Sequence, residues 1–119
     1  MCSIQQIVAQ RMVFSMCCLH PHTSVVWSCH SSRNLQEVIR SFDEMSLDMA
    51  LFVKKLSRIR DEEALTFHNG SSISFGCRER GFGRGCSPNV LVLDEADKMS
   101  KRAKEDMIPC GIYGLTIRL

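Results

Sequence analysis

Two adjacent acids, Asp94 and Glu95, follow directly on four apolar residues, Val90-Leu91-Val92-Leu93. An unbroken Val/Leu run suits a strand covered on both faces, as in a parallel sheet flanked by helices, and ligands of such sheets sit beyond the carboxyl ends of the strands. The pair therefore reads as a Walker B element. In nucleotide-hydrolysing sites of this type the first acid helps to hold Mg²⁺, and its neighbour orients or deprotonates the attacking water. The plain alternative is helix capping, with Asp94 or Asp97 accepting hydrogen bonds from the first turn of a following helix. Just ahead of the strand, Arg78-Glu79-Arg80-Gly81-Phe82-Gly83-Arg84-Gly85 reads as a glycine-loosened loop that carries cations to a phosphate. A solvated surface loop fits the same composition equally well.

A second group of chemically capable side chains, Cys17, Cys18, His20, His22, Cys29 and His30, lies towards the amino end. Thiolate with imidazole is the preferred ligand set of zinc, but no Cys-x-x-Cys pair is present, and cysteine late in a helix usually behaves as a small apolar residue. No nucleophile-turn pattern surrounds any of the seven cysteines, which argues against a cysteine-histidine catalytic pair. The basic run Lys98, Lys101, Arg102 and Lys104, partly balanced by Glu105 and Asp106, reads as a solvated helix face with DNA contact as the alternative.

These residues need a scaffold, and 119 residues with 45% hydrophobic content suffice for one globular domain. The net charge of +2 excludes a polycation, so nucleic-acid contact would rest on local basic clusters. The cysteines are odd in number and irregular in spacing, and no export signal precedes them, which fits reduced thiols in a cytoplasm. The apolar stretch from Met12 to Leu19 is too short to span a bilayer, so no membrane anchor is expected.

Ile4, Ile7, Val8, Met12, Met16 and Leu19 recur at helical spacing and predict an amphipathic helix over 4–19, with those residues inward. His20-Pro21-His22-Thr23 ends it, and Ser24-Val25-Val26-Trp27-Ser28-Cys29 reads as a strand. Ser31 or Ser32 caps a second helix carrying Leu35, Val38, Ile39, Phe42 and Met45, with a loosely helical continuation to about Leu56. Ala64 to His68 and Ser72 to Cys77 flank Asn69-Gly70, whose tolerance of positive backbone angles predicts a tight hairpin. After the basic loop and the Val90–Leu93 strand, Ser100 caps a last helix over 101–108, which Pro109 and Gly111 end. The order is an α/β layout, a sheet flanked by helices, with an antiparallel insertion.

From about Ser3 to Pro109 the chain resembles the ATPase domain of bacteriophage terminase large subunits. The resemblance rests on Gly70-Ser71-Ser72-Ile73-Ser74-Phe75, then the Arg78–Gly85 block, then Val90-Leu91-Val92-Leu93-Asp94-Glu95-Ala96, with Ile108-Pro109 after it. It implies an incomplete P-loop NTPase-type sheet with a hairpin insertion, using ATP and Mg²⁺. By resemblance Asp94 is the Mg²⁺-associated, nucleotide-site acid and Glu95 the catalytic acid, and Arg84 (or Arg78 or Arg80) meets a phosphate. It also implies double-stranded DNA, a portal and a small terminase subunit as partners, a homo-oligomeric ring, and the cytoplasm of a bacterial host. Asp94-Glu95-Ala96-Asp97 also spells the motif of DEAD-box helicases, but those enzymes do not set a hairpin and an Arg/Gly loop directly before it.

The chain departs from the terminase pattern at both ends. Ser3 takes the Ser/Thr place at the start of the first helix, but Cys2 stands where the phosphate-binding lysine belongs, and no Gly-x-x-x-x-Gly-Lys-Ser/Thr loop is present. Residues 110–119 no longer look like the family's next strand. The chain thus reads over 1–109 as a truncated ATPase domain lacking the Walker A loop, with a divergent tail. It carries the Walker B half and is expected to be inactive alone, or a non-catalytic remnant.

Overall fold

The computed structural model describes residues 3–60, 62–77, 88–95 and 114–119. Among these the order is α1 (Ile4–Leu19), β1 (Ser24–Cys29), α2 (Ser32–Asp48), β2 (Val53–Ser57), β3 (Ala64–Phe67), β4 (Ser72–Cys77), β5 (Val90–Leu93) and β6 (Leu115–Arg118). The six strands form one mixed sheet in the order β2-β3-β4-β1-β5-β6. β4, β1, β5 and β6 are mutually parallel, with Trp27 opposite both Phe75 and Val92. β2 and β3 extend the sheet antiparallel beyond β4. All four residues of β5 are buried, as a strand covered on both faces requires.

One face carries the main core. Val25, Trp27 and Cys29 of β1, Ile73, Phe75 and Cys77 of β4, and Val90 and Val92 of β5 cluster with residues of α1 and α2. Alternate side chains point to opposite sides of a strand, so both helices lie on this face. Phe42 of α2 is its pivot, with ring centres 5.5 Å from Trp27 and 5.1 Å from Phe75. On the other face Val26, Leu91 and Leu93 are also buried.

The helix over 4–19 forms as expected, but a different face turns inward. Ala9, Gln10, Val13, Phe14 and Cys17 are buried, whereas Ile4, Val8 and Leu19 are 82%, 60% and 75% exposed. Apolar residues occur almost all round this helix, so periodicity alone fits two stripes. The observed stripe is selected by Phe14 against Phe67, at 5.2 Å between ring centres, and by Gln10, whose Oε1 accepts from Ser41 Oγ of α2.

Three further segments depart from the sequence reading. The continuation to Leu56 is not helical: α2 ends at Asp48 and Val53–Ser57 forms β2. Lys54 and Lys55 hide this strand in the sequence, and charged residues suit the edge position it occupies. The hairpin has a three-residue loop, with Phe67 N–H donating to Ser71 O (2.9 Å) and Gly70 N–H to Phe67 O (3.2 Å). Only Gly70 of the Asn69-Gly70 pair has positive φ, +89°. The tail supplies β6, parallel to β5 from Leu115 opposite Val90 to Arg118 opposite Leu93. The helix placed over 101–108 with its cap Ser100, Asp97, and the basic run from Lys98 to Lys104 lie outside the described residues.

The choice of α1 face can be tested by urea unfolding. Phe14→Ala, on the buried stripe of α1, should cost about 3–5 kcal/mol, the range for removing a buried aromatic ring. Val8→Ala should change stability by no more than about 0.5 kcal/mol, as for an exposed position, and a large loss there would show that the Ile4/Val8 stripe is packed.

Candidate functional site

The parallel strands all end on one edge of the sheet, and Asp94 and Glu95 leave β5 at that edge. Asp94 N–H donates to Ser28 O of β1 (2.9 Å), which continues the ladder one step past Leu93 and anchors the backbone. By strand alternation Asp94 falls on the helix face with Val90 and Val92. Asp94 is 1% exposed. A carboxylate this deep needs donors, because burying an ionised group without them is strongly unfavourable. Trp27 Nε1–H donates to Oδ2 at 3.2 Å. Gln6 Nε2 straddles the group, donating to Oδ1 at 2.9 Å and to Oδ2 at 3.1 Å.

Gln6 belongs to the first turn of α1, whose start therefore sits over the end of β5. Ser3 is the N-cap: its Oγ accepts from Gln6 N–H (3.2 Å), and its own N–H donates to Gln6 Oε1 (2.7 Å). That is a capping box, which satisfies two otherwise unpaired helix-end groups reciprocally. The amide of Gln6 thus joins Ser3 to Asp94. The positive end of the α1 dipole points to the same place and favours negative charge there. Glu95, half-buried, has φ +52°, in the left-handed region that non-glycine residues enter only at a cost.

Of the residues singled out in the sequence, the structure thus brings Ser3, Asp94 and Glu95 to one sheet edge. Arg78, Arg80, Arg84 and Cys2 lie outside the described residues. The described anchors of the Arg/Gly segment are Cys77 at the carboxyl end of β4 and Asn89, which pairs with Ser24 at the opposite edge of the sheet. Gln6 and Trp27 had no assigned role in the sequence. The Ser-x-x-Gln spacing of Ser3 and Gln6 is a capping-box signal that does locate the start of α1, but no local pattern announces a bond from Gln6 across 88 positions to Asp94.

The cysteine- and histidine-rich region is put to other use. Among the described residues no group of three or more His, Cys, Asp or Glu is arranged to hold a metal. Cys17 is a core residue, its thiol pushed up to about 12 by burial, with the neighbouring Cys18 adding to the effect. The loop around His20 and His22 is fastened to the hairpin. Ser71 Oγ donates to His20 O (2.8 Å) and accepts from Thr23 N–H (3.0 Å), and Asn69 Nδ2 donates to Cys17 O (2.7 Å). His22 itself has φ +59°, and a side chain at Gly70 would strike its imidazole ring.

No family profile matches the chain, and no curated protein matches it in sequence. The fold, however, has a match among solved structures. The fold is similar to that in the crystal structure of the HK97 bacteriophage large terminase, with a TM-score of 0.75 over 96% of this chain at 13% identity. The match covers 26% of that protein, so this chain spans about a quarter of its length. The likeness drawn from the motifs is therefore matched at the level of fold. No helix among the described residues is long and apolar enough to cross a membrane.

Two outcomes follow from this geometry. Asp94→Ala leaves Trp27 Nε1–H and Gln6 Nε2 without their acceptor and should cost about 1–3 kcal/mol in urea unfolding, with a change in Trp27 emission. Asp94→Asn, which keeps an acceptor oxygen, should cost less. For Cys17, the unfolded thiol titrates near its ordinary 9.0 while the folded one holds its proton to about 12. Stability should then be full below pH 9 and fall as pH rises towards 12, and Cys17→Val should flatten that alkaline decline.

Proposed function

We propose that this chain supplies the Walker B strand and the first-helix scaffold of a terminase-type ATPase, a motor that drives double-stranded DNA into phage heads. The observation that carries this reading is the buried Asp94 at the carboxyl end of β5, tied through Gln6 to Ser3 at the start of α1. The terminase resemblance gives this region a Ser/Thr residue opening the first helix and an acid ending an inner strand, and here Gln6 joins the two. Similarity of the sheet to that of a phage large terminase supports the same reading.

In this reading Asp94 is the acid that would hold Mg²⁺, and adjacent carboxyl oxygens are the hard donors that cation takes. Bound there, Mg²⁺ supplies the positive charge that offsets charge developing on the phosphates of ATP. Glu95 orients or deprotonates the attacking water, and its half-buried position just beyond Asp94 leaves it reachable. Ser3 faces the nucleotide from the start of α1, and Arg84, with Arg78 or Arg80 as substitutes, is assigned to a phosphate. The partners proposed with this role are DNA, a portal, a small terminase subunit and further copies of the large subunit, in the cytoplasm of a bacterial host.

The 119 residues contain no Gly-x-x-x-x-Gly-Lys-Ser/Thr loop. The amides and lysine of such a loop provide much of the stabilisation of the transferring phosphoryl group. This polypeptide by itself is therefore proposed to hydrolyse ATP at background rate. Phosphate release with Mg-ATP, measured beside Glu95→Gln, checks both parts. Background release by both proteins is expected. Turnover lost in the variant would refute inactivity while assigning the water to Glu95, and equal turnover well above background would overturn the role of Glu95.

A further inference from the structure

We infer that Gln6 guards the α1 side of Asp94: a hard divalent cation that takes this side of the carboxylate must displace the Gln6 amide, and displacement opens the capping box of α1. The inference rests on Asp94 being the cation-binding acid and adds a control element to that site. Gln6 Nε2 lies 2.9 and 3.1 Å from the two carboxylate oxygens, so its N–H groups occupy the lone pairs on the α1 side. An N–H dipole and a cation both present positive charge to those lone pairs and cannot share them. Asp94 is 1% exposed, and among the described residues Gln6 is the neighbour a cation has to move on the α1 side.

The alternative to expulsion is a flip of the amide, which would turn Oε1, a hard oxygen donor, towards the site. Ser3 blocks that flip. Its backbone N–H has only donor character and is held by Gln6 Oε1 at 2.7 Å, so a flipped amide would set N–H against N–H. The orientation of Gln6 is thus fixed from both ends by this network. Either movement releases Ser3 N–H, and cation arrival at the sheet edge is felt at the start of α1.

The chain contains one tryptophan, and Trp27 donates to the same carboxylate at 3.2 Å, which makes its indole N–H a built-in reporter. The experiment is a Mg²⁺ titration of the ¹⁵N-labelled 119-residue chain, following the single indole resonance and the backbone amides of Ser3 and Gln6. In the wild type these three signals should move together with one midpoint. Gln6→Met keeps the length of the side chain but neither donates to Asp94 nor adds a charge beside it, and Gln6→Ala removes the side chain altogether. Each should lower the midpoint by about tenfold or more, the scale set by one hydrogen bond to a charged group. Should Gln6→Ala fail to fold by circular dichroism, Gln6→Met decides.

An indole that responds to Mg²⁺ with an unchanged or higher midpoint in the variants overturns the guard and leaves the Walker B reading intact. Responses at the indole without movement at Ser3 overturn the link to the capping box. An indole silent to Mg²⁺ in the wild type and in both variants overturns the assignment of Asp94 as a cation-binding acid, and the guard with it. A silent wild type with responsive variants supports the guard in its strictest form. Asp94→Asn should abolish the response throughout.

Discussion

Keeping a carboxylate at the inner end of a buried strand is the constraint on which the organisation of this site depends. Asp94 is out of contact with water, and bulk solvent cannot stabilise it there. Its donors must come from the fold itself, and among the described residues two different elements supply them: the indole of β1 and the amide of α1. Each donor also has a second duty. Trp27 packs edge-on against Phe42 in the main core, and Gln6 closes the α1 capping box. Core packing, helix capping and charge burial therefore converge on one group, and moving any of them disturbs the others.

The far end of α1 is held by different means. There the loop after Leu19 and the hairpin turn share hydrogen bonds through Ser71, Asn69 and Thr23, so the helix is fastened to the sheet at both of its ends. Among the described residues, two non-glycine residues with positive φ sit at the two ends of this system, His22 by the hairpin and Glu95 by Asp94. Backbone held in that region persists only where surrounding contacts over-determine it. At His22 the surroundings are the hairpin turn and Gly70. At Glu95 they include the end of the parallel ladder, where Asp94 N–H bonds Ser28 O.

Several elements were legible without coordinates because local chemistry decides them. The apolar run Val90–Leu93 before two acids, the Asn-Gly turn, and the Leu35/Val38/Ile39/Phe42 stripe each carry their own period or turn preference. Where two answers satisfied the same period, the sequence could not choose. α1 is apolar on two sides, and only Phe67 and Ser41, brought there by the sheet and by α2, select the buried one. β2 was read as helix because its two lysines mask alternation. An edge strand draws its stability from backbone pairing with β3, which leaves little trace in residue types. β6 escaped for a related reason: it is defined by its partner β5, and half of it is exposed.

The same division holds at the candidate site. The residue types alone determined an acid pair at the end of an inner strand and a serine opening a helix, because strand burial and helix capping are properties of short stretches of chain. Only the tertiary structure decided that those two features meet, that Gln6 lies between them, and that the sole tryptophan faces the first acid. Those contacts join positions 67 and 88 residues apart. Separations of that length are set by the order of strands in the sheet, and strand order is a property of the whole packed chain.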